Sequence, residues 1–195
     1  MDNNPPQNKS LRVTVFGGSS PKPGSPAYFA AYTLGKWLGN KGYIVLNGGY
    51  IGTMEAVSKG ARESDGKVIG ITCDQIETWR PIAPNPYLSE EIRFPTLQQR
   101  LYALIDLCDL AVALAGGIGT LAEISTMWTQ MDIQAIPLKP LILVGQEWQR
   151  VMANFAESMQ DYVNPRQLRE ITFANDINDA VEKIELFSQK MYDSH

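Results

Sequence analysis

Three short apolar segments of this chain each end in a glycine-rich loop, and each loop is followed by residues with helical spacing. The loops are residues 17–20 (Gly-Gly-Ser-Ser), 47–52 (Asn-Gly-Gly-Tyr-Ile-Gly) and 116–120 (Gly-Gly-Ile-Gly-Thr). A strand that turns into a helix is the repeating unit of parallel α/β proteins. Ligands of such sheets bind beyond the carboxyl ends of the strands. We therefore expect the three loops to lie near one ligand.

The same alternation of strand and helix patterns continues to the end of the chain. The predicted strands are apolar on both faces, as strands covered by helices on two sides must be. They span 11–16, 43–46, 67–72, 110–114, 140–144 and 171–174, with a short run at 91–94. Helical spacing covers 28–38, 53–61, 96–108, 121–131, 148–159 and 177–191.

These patterns predict an α/β protein with a Rossmann-like, doubly wound, mostly parallel sheet and helices on both faces. Residues 11–195 are expected to form a single domain, and residues 1–10 a flexible tail. Residues 73–88 contain several prolines and no clear periodicity. They predict a long irregular loop that is a candidate specificity element or lid.

Composition excludes several classes of function. The 21 acidic residues outnumber the 17 basic ones, which disfavours nucleic-acid binding. His195 is the one histidine, so a histidine zinc site or a Ser-His triad is not expected, and no metal is assigned. Two cysteines, Cys73 and Cys108, and no signal peptide or membrane-length apolar run predict a cytoplasmic protein that makes no membrane contact.

Glycine-rich loops of this kind suit a phosphate group. Backbone N–H groups bind phosphate only where the chain approaches it closely, and a helix that starts at the loop adds its partial positive charge. None of the loops matches GxGxxG or GxxxxGK[ST], so NAD and ATP are disfavoured. The alternative is that the glycines serve tight turns alone. The candidate phosphate ligands are Gly18, Ser19, Ser20, Gly48, Gly49, Gly116, Gly117, Gly119 and Thr120.

Two charged residues close to the third loop are the catalytic candidates. Arg100 lies on the helix before the loop, and Glu123 lies on the helix after it. A guanidinium that binds ligand charge and a carboxylate that activates water or stabilises an oxocarbenium-like transition state suit hydrolysis of an N-glycosidic bond. Two alternatives stay open: Thr120 and Glu123 match a helix capping box, and Arg100 could be a solvated helix residue.

Residues 116–123 (Gly-Gly-Ile-Gly-Thr-Leu-Ala-Glu) resemble the PGGxGTxxE signature of the LONELY GUY family, once labelled "lysine decarboxylase-like". Residues 16–20 and 47–54 are similar to the family's first two glycine loops, and the similarity runs in order from Val13 to Val144. The family's studied members are cytokinin riboside 5′-monophosphate phosphoribohydrolases. The resemblance implies that Arg100 and Glu123 are catalytic and that the glycines form a phosphate cradle.

The same resemblance implies a homodimer or higher homo-oligomer, a small phosphorylated ligand such as a cytokinin riboside monophosphate or AMP, and no cofactor for catalysis. Ala115 stands where the signature has proline, Leu101 where the family has lysine, and Gln98-Gln99 where it often has His-Glu. These differences suit an alternative, a non-catalytic carrier of the molybdenum cofactor, a phosphorylated pterin. A nucleotide sensor is a third possibility. Lysine decarboxylation is rejected, because no lysine lies in a recognisable pyridoxal-phosphate context.

Overall fold

Strands and helices alternate along the chain in a computed structural model, which describes residues 10–193. The predicted tail therefore lies, apart from Ser10, outside the described residues. The elements are β1 (Arg12–Phe16), α1 (Pro26–Asn40), β2 (Ile44–Asn47), α2 (Thr53–Arg62), β3 (Val68–Cys73), α3 (Asp74–Trp79), β4 (Glu90–Phe94), α4 (Leu97–Asp106), β5 (Leu110–Ala113), α5 (Ile118–Asp132), β6 (Leu141–Val144), α6 (Gln146–Ser158), α7 (Pro165–Leu168), β7 (Ile171–Ala174) and α8 (Ile177–Asp193).

The seven described strands form one parallel sheet in the order β4-β3-β2-β1-β5-β6-β7. The chain starts at β1, moves outward to β4, and returns to β5 on the other side of β1. Val13 consequently pairs with Val45 of β2 on one side and with Leu110 of β5 on the other. The predicted doubly wound, Rossmann-like α/β fold is confirmed. Such a reversal leaves a crevice at the carboxyl ends of the two strands on either side of it.

Two apolar layers cover the sheet. Leu34, Val57 and Ile184 belong to the layer that α1, α2 and α8 form with one face. Leu104 and Met127 belong to the layer that α4, α5 and α6 form with the other face. The side chains of β3, β5 and β6 are all buried, which explains their continuous apolar sequences, whereas the edge strand β4 has no buried residue. In the described part of the chain, no helix has the length and apolarity that a bilayer span requires.

Three predictions of local structure were wrong. Residues 74–79 form a helix, α3, where an irregular loop was expected. A helix of six residues is too short to show periodicity and depends on contacts made elsewhere in the fold. Helix α5 begins at Ile118, three residues before the predicted start at residue 121. The prediction missed the first turn because that turn contains glycine, which sequence propensity does not assign to helices. The four-residue helix α7 was not predicted.

Candidate active site

A cleft of about 460 Å³ opens at the carboxyl ends of the strands, beside the β1–β5 crevice. This volume is within the range of about 300–1,000 Å³ that is usual for small-molecule sites. Eight of the residues predicted from the sequence line it together: Gly18, Ser19, Ser20, Arg100, Gly117, Gly119, Thr120 and Glu123. The loops after β1 and β5 thus meet at one site, as their positions in the sequence predict.

Backbone hydrogen bonds hold the three loops against one another. The N–H of Gly18 donates to the carbonyl of Ala115 at 3.1 Å, and the carbonyl of Gly18 accepts from the N–H of Thr53 at 3.0 Å. Gly52 has a positive φ of 73°, and a Cβ there would stand 2.6 Å from the backbone of Ser19. Glycine at position 52 therefore permits the close approach of the first two loops. Ala115 takes part through its carbonyl group, so the loop contact does not depend on the signature proline.

The amino terminus of α5 faces this cleft. Its N-cap is Gly117, which offers no side-chain hydrogen bond, and the first residue to bond back along the helix is Leu121, to the carbonyl of Gly117 at 3.0 Å. The N–H groups of the first turn therefore have no partner within the helix. Thr120 is in that first turn and Glu123 is one turn further on, so the capping-box alternative is wrong. Helix starts of this kind are well suited to bind an anion.

Arg100 is buried, with 6% of its surface exposed. Its Nε donates to the carbonyl of Ile71 at 2.8 Å, and its Nη2 lies 4.0 Å from the sulfur of Met54. The guanidinium carbon stands 5.9 Å from the centre of the Tyr50 ring, which adds a cation–π contact. The alternative of a solvated helix residue is therefore wrong for Arg100. The structure holds this cation at the cleft wall.

Glu123 faces Arg100, with 3.8 Å between Oε1 and Nη1. Only 13% of its side chain is exposed. Burial raises the pKa of the Glu123 carboxyl from its ordinary value near 4.5 to about 7, although the charge of Arg100 acts in the opposite direction. A carboxyl group with a pKa near 7 can accept or release a proton at neutral pH, which is what general acid–base catalysis requires.

Gly48, Gly49 and Gly116 are not among the residues that line the cleft. A Cβ on Gly48 would stand 1.7 Å from Nη2 of Arg100, and one on Gly116 would stand 2.1 Å from Oγ1 of Thr120. Gly49 has a positive φ of 80°, and its N–H donates to the side chain of Asn47 at 2.8 Å. The structure gives these three glycines a role in packing the site, and direct phosphate contact by them stays a prediction.

The positions at which the sequence differs from the LONELY GUY pattern lie outside the cleft lining. Gln99 is exposed and completes the start of α4, because its N–H donates to Oγ1 of Thr96 at 3.2 Å. Gln98 is exposed as well, and Leu101 packs against the apolar layer under α4. The lining of the cleft in this chain is therefore unaffected by these three differences.

Sequence patterns missed part of the lining. Tyr50, Met54, Leu97, Ile118 and Trp79 line the cleft, and none of them was named as a site residue from the sequence. Trp79 is 81% exposed and ends α3, a helix that was not predicted within the segment 73–88. Tyr50 and Ile118 carried one usable signal, since each adjoins or interrupts a glycine loop.

The parallel sheet, the glycine loops at its reversal point and the buried Arg–Glu pair define a Rossmann-like protein with a cleft for a small ligand. The chain belongs to the family whose model is described as "Possible lysine decarboxylase", which matches residues 54–184. The relationship to LONELY GUY proteins that the glycine signature predicted is thereby confirmed.

One relative is a protein of Oryza sativa subsp. japonica named "Probable cytokinin riboside 5'-monophosphate phosphoribohydrolase LOGL5". It is 29% identical over 187 residues, which cover 94% of this chain and 75% of the relative. Among solved structures, the protein TM1055 is 33% identical and superposes with a TM-score of 0.70 over 90% of this chain and 99% of its own. The molybdenum cofactor binding protein of Rippkaea orientalis, 22% identical with a TM-score of 0.72 over 92% and 98% of the two chains, shares the fold.

Proposed function

We propose that this protein is a nucleoside 5′-monophosphate phosphoribohydrolase, which cleaves an N-glycosidic bond to give a free base and ribose 5-phosphate. The observation that carries the proposal is the buried Arg100–Glu123 pair, 3.8 Å apart, beside the amino terminus of α5. The name of the rice relative supports this activity on a cytokinin riboside monophosphate. The proposed substrate is a nucleotide of that type or of the AMP type.

In this proposal the phosphate group lies at the start of α5. Gly117 and Gly119 leave open space there, since a Cβ on either would meet no atom within 4 Å. The free N–H groups of the first turn and the hydroxyl group of Thr120 would donate to the phosphate oxygens. Ser19 and Ser20, both exposed at the opposite wall, would supply further donors.

The ribose would then lie against Glu123 and Arg100. Water adds its oxygen to C1′ while the bond from C1′ to the base nitrogen breaks, and one proton passes from the water to the departing base. As a carboxylate, Glu123 takes this proton from the water and passes it to the departing base, and it stabilises the positive charge that develops on the ribose ring. Arg100 keeps part of the Glu123 population ionised and can donate to a ligand oxygen. The step requires no metal ion or organic cofactor.

Lysine decarboxylation, which the family description mentions, is not proposed. A pyridoxal-phosphate enzyme needs a lysine that forms a Schiff base with the cofactor. None of the described residues that line the cleft is a lysine.

A carrier of a phosphorylated pterin, such as the molybdenum cofactor, is the alternative, and a nucleotide sensor would use the same cleft. The name of the Rippkaea orientalis protein supports the carrier, and the phosphate cradle would serve either ligand. The Arg100–Glu123 pair favours the hydrolase, because it places a carboxyl group 3.8 Å from a cation in the cleft wall, which is the combination that the proposed reaction uses.

The test is to incubate the purified protein with AMP, other nucleoside monophosphates and a cytokinin riboside monophosphate, and to measure free base by chromatography. The hydrolase predicts release from at least one of them. If no base is released and a phosphorylated pterin raises the melting temperature, the result would contradict the hydrolase and support the carrier.

A further inference from the structure

Three exposed apolar side chains line the cleft and have no role in the proposed reaction. Trp79 at the end of α3 is 81% exposed, Leu97 at the start of α4 is 49% exposed, and Ile118 at the start of α5 is 84% exposed. All three line the cleft. Single exposed apolar residues are common on protein surfaces, but several grouped around one concave site indicate a bound ligand or partner.

Helix α3 is held in place by contacts on more than one side. Arg93 binds Asp74 at 2.6 Å and Glu77 at 2.7 Å. The hydroxyl group of Tyr50 donates to Glu77 at 3.2 Å. Exposed ion pairs contribute little each, but a helix of six residues does not form without such support. The contacts therefore fix the position of the residue that ends the helix.

The amide group of Gln75, also on α3, accepts from the N–H of Leu97 at 2.8 Å. This bond links α3, which ends at Trp79, to Leu97 at the start of α4.

The cleft thus has two chemically different kinds of lining. The glycine loops, Arg100 and Glu123 supply polar lining, and Trp79, Leu97 and Ile118 supply exposed apolar lining. A matching ligand carries phosphate and ribose at one end and a flat aromatic group at the other. Bases stack readily on tryptophan because every base presents a π-face.

We propose that Trp79 stacks on the base of the bound nucleotide and, with Leu97 and Ile118, forms the base subsite that makes a nucleotide bind more tightly than ribose 5-phosphate alone. This inference rests on the proposed function for the identity of the ligand. It assigns Trp79 to binding of the base and leaves the chemistry at C1′ to Arg100 and Glu123.

The experiment measures binding by calorimetry in a Glu123→Gln background, where hydrolysis does not deplete the ligand. AMP, which has a base, is compared with ribose 5-phosphate, which has none. Trp79→Ala is expected to weaken AMP binding about tenfold and to leave ribose 5-phosphate binding unchanged, in line with the loss of one base–aromatic stack. Trp79→Phe, which retains a ring, is expected to recover most of the loss.

The matched control is Phe29→Ala, which removes an aromatic side chain that is 67% exposed on α1 and does not line the cleft. It is expected to change neither affinity. An unchanged AMP affinity in Trp79→Ala, or an equal loss for both ligands, would overturn the base subsite. If wild-type protein binds AMP but releases base from none of the nucleotides tested, the hydrolase fails and the Trp79 inference stands. If it binds no AMP, the Trp79 inference fails, and base release from the other nucleotides decides the hydrolase.

Discussion

Gly48 lies directly against the guanidinium group of Arg100. A Cβ at position 48 would stand 1.7 Å from Nη2 and 2.9 Å from the central carbon of the group. Because Nε of Arg100 is bonded to the carbonyl of Ile71 at 2.8 Å, the group cannot move away without losing that bond. The absence of a side chain at Gly48 is what allows this cation to be buried beside Glu123.

Gly48→Ala is therefore expected to displace Arg100 and to lower kcat/KM at least tenfold for whichever nucleotide the protein cleaves. This loss of kcat/KM should arise only from displacement of Arg100. The double variant Gly48→Ala/Arg100→Ala is therefore expected to be no less active than Arg100→Ala. Steady-state kinetics on the four proteins make this comparison. Additive losses in the double variant would contradict the role given to Gly48.

Replacing Glu123 by glutamine should stabilise the protein at alkaline pH. The folded-state pKa of about 7 lies above the ordinary value near 4.5. The folded state therefore favours the protonated form, and this contribution is present below pH 4.5 and is lost as pH rises to 7. Glutamine resembles the protonated acid at every pH. At pH 8, Glu123→Gln should have a free energy of unfolding higher than wild type by about 3 kcal/mol at most.

Denaturant unfolding at pH 4 and pH 8 measures this difference. The two proteins are expected to have nearly equal stability at pH 4 and to diverge by pH 8. Glu182→Gln, a change at an exposed glutamate of α8, is the matched control and should alter stability little at either pH. A Glu123→Gln protein that is less stable than wild type at pH 8 would show that burial of the ionised Glu123 carboxylate does not lower stability at that pH.

Gly119→Ala should weaken ligand binding without lowering the stability of the protein. The position lies in the first turn of α5, and a Cβ there meets no atom within 4 Å. Alanine in a helix is more favourable than glycine by up to about 1 kcal/mol, so the variant should be as stable as wild type or more stable. The new methyl group would occupy space assigned to the phosphate. Calorimetry should show weaker binding of ribose 5-phosphate. Unchanged binding would show that the phosphate does not bind at the start of α5.

Helices α5 and α6 carry a second apolar surface, and we propose that it joins two copies of the chain. Its exposed members are Val151, Phe155, Met159 and Tyr162, and they border a cavity of about 610 Å³ that Trp128 also lines. Phe155→Glu should convert a dimer into a monomer in light scattering after size-exclusion chromatography. Phe29→Glu on α1 is the control and should stay dimeric. A wild-type protein that is monomeric at micromolar concentration would refute the proposal that this surface joins two copies of the chain.

The sequence predicted the order of the strands and the glycine loops that line the cleft because both follow from local patterns. Glycines after apolar strands mark the edge of a parallel sheet, and the topology then brings the loops after β1 and β5 together. The sequence could not distinguish Gly119, which faces open space, from Gly48, which lies against Arg100. That difference depends on side chains from other elements.

The burial of Arg100 and the position of Trp79 could not be predicted for the same reason. Arg100 is fixed by the carbonyl of Ile71 on β3, which lies 29 positions away in sequence. Trp79 is placed by α3, whose support comes from Arg93 on β4. Contacts between distant segments are invisible to periodicity and propensity, and the functional cleft is made from several of them.

The most direct test of the proposed reaction is base release by wild-type protein, Arg100→Ala and Glu123→Gln, with ribose 5-phosphate binding measured on all three. The hydrolase predicts release by wild type and a loss of at least a hundredfold in both variants, while Glu123→Gln still binds ribose 5-phosphate. Full activity of Glu123→Gln, or wild-type protein that binds nucleotide and releases no base, would contradict it.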